Sequence, residues 1–195
     1  MKTKLEMDGG FCILLALMLL VLPLPWVLAA ALAAFVHECF HYGAVNLLGG
    51  RVYSLRLGWR GAAMETTPLM PGRELVAAFA GPLGSALMIL LRQWLPRTAV
   101  CSAVHCAFNL LPLFPLDGGR MLRSVMVLLF RNGEGKFRML QKILRGILAV
   151  LVIAGCLRWG IWVAALGIFL LIGEKGRELF DKRPFCGYNK TDIEQ

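Results

Sequence analysis

Residues Val27 to Leu48 read VLAAALAAFVHECFHYGAVNLL, a run apolar and long enough to cross a bilayer as one helix, yet it carries His37, Glu38 and His41. Ionisable side chains at bilayer depth are costly and normally face a protein interior or a watered cavity. Two histidines and a carboxylate in such a run therefore call for a reason. Histidines four apart on a helix lie on nearly the same face, about 6 Å apart along the axis, so their imidazoles can converge on one ion. Glu38 follows the first histidine directly and projects to the side, where it can take a proton from water at the ion without binding the ion itself. His37 and His41 are thus candidate metal ligands, and Glu38 is the candidate general base.

Working outward, apolar segments run roughly over Phe11 to Trp26, Val27 to Leu48, Leu75 to Leu95, Ala99 to Phe130 with interruptions, Met139 to Leu157, and Trp159 to Gly173. With 58% of its residues apolar and only 17% charged, the chain leaves little for a soluble core and has the composition of a membrane protein. The predicted fold is all-α and polytopic, with about six transmembrane helices. Pro23 and Pro25 end the first span and force a tight connection to the second. If the N-terminus is cytoplasmic, alternation leaves only Arg92, Arg97 and Arg158 outside, with the other Lys and Arg residues of the loops inside. That asymmetry predicts a multi-pass protein with both termini cytoplasmic.

The net charge of +9 follows this topology and not a nucleic-acid partner, because the basic residues gather between apolar segments without aromatic interleaving. The six cysteines sit mostly in apolar segments without paired spacing and read as small buried hydrophobes. Lys2, Lys4 and the Ala29-Ala30-Ala31 cluster mimic a signal peptide, but cleavage there would remove the front of the helix that carries His37. The expected organisation is one integral-membrane domain over residues 1–175 and a short cytoplasmic tail over 176–195.

Between the second and third spans, Tyr53, Leu55, Leu57 and Trp59 alternate with Ser54, Arg56, Gly58 and Arg60. Period-two alternation predicts a short amphipathic β element at the cytoplasmic interface, with Gly61 to Thr67 returning as its partner. Asn132-Gly133-Glu134-Gly135 reads as a turn.

A catalytic metal site wants a third protein ligand and an open position for water. Ten of the acidic residues fall in loops, tails or span ends, and only Glu38 and Asp117 lie within interior-type sequence, so Asp117 is the third ligand by elimination. Around it the chain reads FNLLPLFPLDGGR from Phe108 to Arg120. Two prolines and two glycines must break the helix there and free backbone groups, tolerable in a membrane only where protein or a wet cavity surrounds them. Asn109 brings donors and an acceptor into the same region. His105, four residues earlier, reads as a packing or pore-edge histidine, and Arg120 and Arg123 as side chains that snorkel to the interface.

The pairing of His37-Glu38-Cys39-Phe40-His41 with Asn109 to Pro112 and Leu116 to Gly119 resembles the site-2 protease family of intramembrane metalloproteases, peptidase family M50. Ala80-Gly81-Pro82 resembles a further motif of that family. The resemblance covers about residues 27–130, the family's three-helix catalytic core. It implies one Zn2+ per chain held by His37, His41 and Asp117, Glu38 as base, and Asn109 holding substrate or stabilising the oxyanion. It implies a zinc endopeptidase that cuts a membrane-embedded or membrane-associated protein, such as a sigma-factor precursor, an anti-sigma factor or a signal-peptide remnant, in a bacterial cell membrane. It also implies that the strand near Arg51 to Arg60 pairs with the unwound substrate. Where the family often has Asn soon after Gly-Pro, this chain has Gly84 and Ser85, which puts Ser85 forward as a site residue. The layout is closest to the compact sporulation type, here without a PDZ or CBS domain. The expected partners are the bilayer and a membrane-protein substrate, with a homo-oligomer or a regulatory membrane partner left open. The alternative reading is a zinc-binding membrane transporter or scaffold that does not hydrolyse.

Overall fold

Large apolar side chains lie on the outside of this molecule and small or polar ones lie within. In the computed structural model, which describes residues 4–58 and 61–159, Leu47 is 89% and Leu157 86% exposed, while Ala33, Ala78, Ser85, Ser102 and Ser124 are buried. An apolar exterior of this extent suits lipid tails, and small residues at helix contacts let backbones approach closely.

The elements follow in the order β1 (Lys4–Met7), α1 (Gly9–Val21), α2 (Leu24–Leu47), β2 (Val52–Gly58), β3 (Gly61–Thr66), α3 (Pro71–Leu90), α4 (Pro96–Asn109), α5 (Asp117–Leu129) and α6 (Gly133–Trp159). Among the described residues, α2, α3 and α6 are long and apolar enough to cross a membrane, which makes this an integral membrane protein. The first expected span is shorter than the sequence suggests. Helix α1 has 13 residues, about 20 Å, because Asp8 caps its start and Pro23 and Pro25 already belong to the entry of α2. The fourth expected span is two helices of 14 and 13 residues separated by the proline-rich loop 110–116. The sixth, Trp159 to Gly173, and the tail 176–195 lie outside the described residues, apart from Trp159 itself. The expected turn at Asn132 to Gly135 is likewise displaced, since α6 already begins at Gly133.

Helix α2 buries Ala29, Ala33, His37, His41 and Val45, a stripe at every fourth position. It packs on α3 and α4, and α3 packs in turn on α4 and α5. Helix α3 answers with Ala77, Ala78, Gly81, Pro82, Gly84 and Ser85. A Cβ at Gly84 would press into the Phe40 ring, so this helix pair requires glycine there.

The predicted hairpin is present, with β2 and β3 antiparallel. The structure adds β1, which pairs parallel to the other side of β2 and makes it the central strand. Both edges of β2 are therefore taken, which corrects the expectation that residues 52–59 offer an edge to a substrate. The outer edges of the sheet belong to β1 and β3.

Candidate metal centre

The stripe on α2 aims His37 and His41 at the first residue of α5. His37 Nε2 lies 3.0 Å from Asp117 Oδ2, His41 Nε2 lies 3.1 Å from the same oxygen, and the two Nε2 atoms are 3.1 Å apart. All three residues are buried. Asp117 occupies the first turn of α5, where the positive end of the helix favours a carboxylate.

The far sides of the imidazoles fix which nitrogen faces the centre. His41 Nδ1 lies 2.7 Å from the Ala77 carbonyl oxygen, which can only accept, so Nδ1 carries the hydrogen and Nε2 presents a lone pair. His37 Nδ1 lies 2.9 Å from Ser85 Oγ, which can accept in the same way. Outer partners of this kind orient ligating histidines and raise their basicity. Ser85, flagged by its place after Gly-Pro, is thus a partner of His37 rather than of the ion.

Two nitrogens and a carboxylate oxygen aimed at one another repel unless a cation sits among them, and their spacing suits a small one. Zinc bonds of about 2.0 to 2.2 Å place neighbouring donors of a tetrahedral ion about 3.3 Å apart, within a few tenths of an ångström of this triangle. The residues present therefore fit a divalent metal. Gly81 leaves the necessary space, since a Cβ there would collide with Nε2 of both histidines. That is the physical content of the Ala80-Gly81-Pro82 motif in this chain.

Glu38 is half-buried beside the first ligand and carries no hydrogen bond or ion pair to another described residue. Among the described residues its carboxylate is uncommitted. Asn109 ends α4 and donates from Nδ2 to the His105 carbonyl at 3.1 Å, so its amide is turned to its own helix and not to the three ligands. His105 packs edge-on against the His37 ring, 4.5 Å between centroids, in keeping with a packing role.

The loop between Asn109 and Asp117 is held by a residue the sequence reading passed over. Gln141 of α6, 2% exposed, accepts from Phe114 N at 3.0 Å and donates to the Pro112 carbonyl at 2.8 Å. It satisfies the backbone groups that the broken helix frees. A lone amide past the first turn of a helix that is otherwise apolar and basic there was the available signal. Gly118 and Gly119 pack directly on the loop backbone, where a Cβ would strike Leu110 and Leu113. Arg120 and Arg123, expected to reach the interface, pair with Glu74 and Glu134 at 2.7 and 2.8 Å, two carboxylates in the first turns of α3 and α6.

A membrane protein of apolar helices packed around a buried two-histidine, one-aspartate cluster is the class this fold and site define. Its architecture is that of a site-2 protease: the site-2 protease from Methanocaldococcus jannaschii superposes with a TM-score of 0.65 at 21% identity, covering 87% of this chain and 88% of that one. In sequence, the chain is 28% identical over 166 residues to a protein named as a zinc metalloprotease, Rip3, in two strains of Mycobacterium tuberculosis. The match covers 77% of this chain but only 41% of the length of those relatives. No protein-family model matches the chain. The shared fold and the sequence relatives together bear out the resemblance to the site-2 protease family.

Proposed function

We propose that the chain is a zinc endopeptidase that hydrolyses a peptide bond of another membrane protein at membrane depth. The observation that carries this reading is the buried triangle of His37, His41 and Asp117 with the uncommitted carboxylate of Glu38 next to it on α2. His37 Nε2, His41 Nε2 and Asp117 Oδ2 hold the zinc. When bound, the ion polarises water and the scissile carbonyl. Glu38 takes the proton of the attacking water and hands it to the leaving amine. Asn109 swings its amide from the His105 carbonyl to the substrate, holding it or stabilising the oxyanion. An unwound substrate segment adds to the outer edge of β3, because amide bonds within a helix are shielded from attack. The protein spans a bacterial cell membrane several times with both termini cytoplasmic, and its substrates are of the kind that release signalling factors or clear signal-peptide remnants.

The substitution Glu38→Gln keeps the shape of the side chain and removes the base. Cleavage of membrane proteins should stop while stoichiometric zinc is retained, and a comparison of membrane proteomes from cells carrying either form would reveal the substrate. Unchanged proteomes would favour the non-hydrolytic reading, and unchanged cleavage of an identified substrate would remove Glu38 from its role.

A further inference from the structure

The third ligand sits in a charge arrangement that the three-donor cluster does not require. Asp117 turns Oδ2 to the two histidines, and its other oxygen, Oδ1, faces Arg120 Nη1 at 3.6 Å, an ion-pair contact longer than a hydrogen bond. Arg120 spends its better geometry elsewhere. Its Nε and Nη2 both donate to Glu74 Oε1, at 2.9 and 2.7 Å. Glu74 stands in the first turn of α3 and Asp117 in the first turn of α5, so one guanidinium bridges carboxylates at the starts of two packed helices.

A guanidinium i+3 from a carboxylate would ordinarily close on it with two parallel bonds, the preferred geometry for this pair. Such a closure would engage both oxygens of Asp117 and set Arg120 in direct competition with a metal for the same charge. Glu74 opposes it by taking the Nε–Nη2 edge of the guanidinium, one of the two edges that can make a fork, and by holding the group toward α3. What remains is a single, longer contact that steadies Oδ1 and leaves Oδ2 to the centre.

We propose that Glu74 and Arg120 are positioning residues for the metal: Arg120 fixes Asp117 as a one-oxygen ligand, and Glu74 restrains Arg120 from capturing that ligand outright. This rests on the metal-site reading above and adds a sign to it. Loss of Glu74 should weaken metal binding although Glu74 touches neither the ion nor its ligands, and removal of Arg120 as well should relieve the effect.

The test is Co2+ titration, followed by its visible absorption, of the full chain in detergent as wild type, Glu74→Gln, Arg120→Gln and the double variant. Glu74→Gln should bind Co2+ about 10-fold more weakly, the low end of the range for loss of a ligand's direct partner, because Glu74 acts on Asp117 only through Arg120. The double variant should bind more tightly than Glu74→Gln and match Arg120→Gln. If Glu74→Gln does not fold, Arg120→Lys serves in its place: a point charge cannot hold both carboxylates, so Co2+ affinity should fall and the spectrum should shift. Wild type that binds Co2+ stoichiometrically, with Glu74→Gln or its stand-in equal to it, would overturn the proposal alone. A double variant weaker than either single one would also overturn it, since that is what plain structural support gives. Wild type that binds no metal at all would instead overturn the metal-site reading beneath it.

Discussion

The donor cluster and the three-stranded sheet differ in how much each residue is constrained. At the cluster, every side chain has one permitted place: His37 between Asp117 and Ser85, His41 between Asp117 and the Ala77 carbonyl, and Gly81 with no room for a methyl group. In the sheet, Tyr53 and Arg56 are exposed and the ion pairs of Arg56 with Glu6 and Glu65 lie open to solvent. The lesson is that chemistry has been placed where packing removes freedom, and that the surface element beside it is held mainly by backbone pairing. The sheet therefore tolerates change that the cluster does not.

Gly81→Ala should produce the largest effect and would break the comparison if it did not. A single methyl group there meets Nε2 of both histidines. In a close-packed contact between two helix backbones the neighbours have little room to withdraw. We expect metal content of the purified protein to fall below a tenth of an equivalent, with cleavage lost alongside. A variant that still binds one equivalent would mean that α2 and α3 are looser than the buried stripe indicates.

Gln141→Leu is expected to come next. It keeps the side-chain volume but strips a partner from Phe114 N and from the Pro112 carbonyl. Each lost bond of this kind, with its buried polar group left unsatisfied, costs roughly 1 to 3 kcal/mol. Thermal unfolding in detergent should begin several degrees lower, with metal retained in the folded fraction, because the ligands themselves are untouched. Metal loss without any thermal shift would show that the loop serves the site alone.

How far each region could be read from the chain follows the same divide. His37 and His41 were legible because four-residue spacing on a helix is a local rule, and Asp117 because so few acidic residues stand in interior-type sequence. The β2–β3 hairpin was legible from alternation and a short connection. Strand β1 was not, because its parallel pairing joins Leu5 to Leu55 across the whole of α1 and α2, and four residues carry no periodicity of their own. Glu74 and Arg120 were likewise hidden: their contact spans 46 positions between two helix starts, and each residue alone reads as an interfacial charge. The split of the fourth span into α4 and α5 was visible only as an interruption, because prolines say where a helix stops and not where the chain goes next.

Arg56→Ala should give the smallest effect, and it sharpens the comparison from the other side. Its guanidinium meets Glu6 at 2.8 Å and Glu65 at 3.7 Å, and it is more than half exposed. Lys4 already pairs with Glu6 at 2.8 Å and is the main reason that the Glu6 carboxyl sits below its ordinary pKa, so Glu6 keeps a cation when Arg56 goes. Exposed pairs of this kind often contribute nothing measurable, while the strand pairing of β2 with β1 and β3 remains. Unfolding temperature and metal content should match wild type within error at physiological salt. A clear drop in either would mean that the sheet's charges, rather than its backbone, anchor β1, and that the surface element is tied to the cluster more tightly than its exposure suggests.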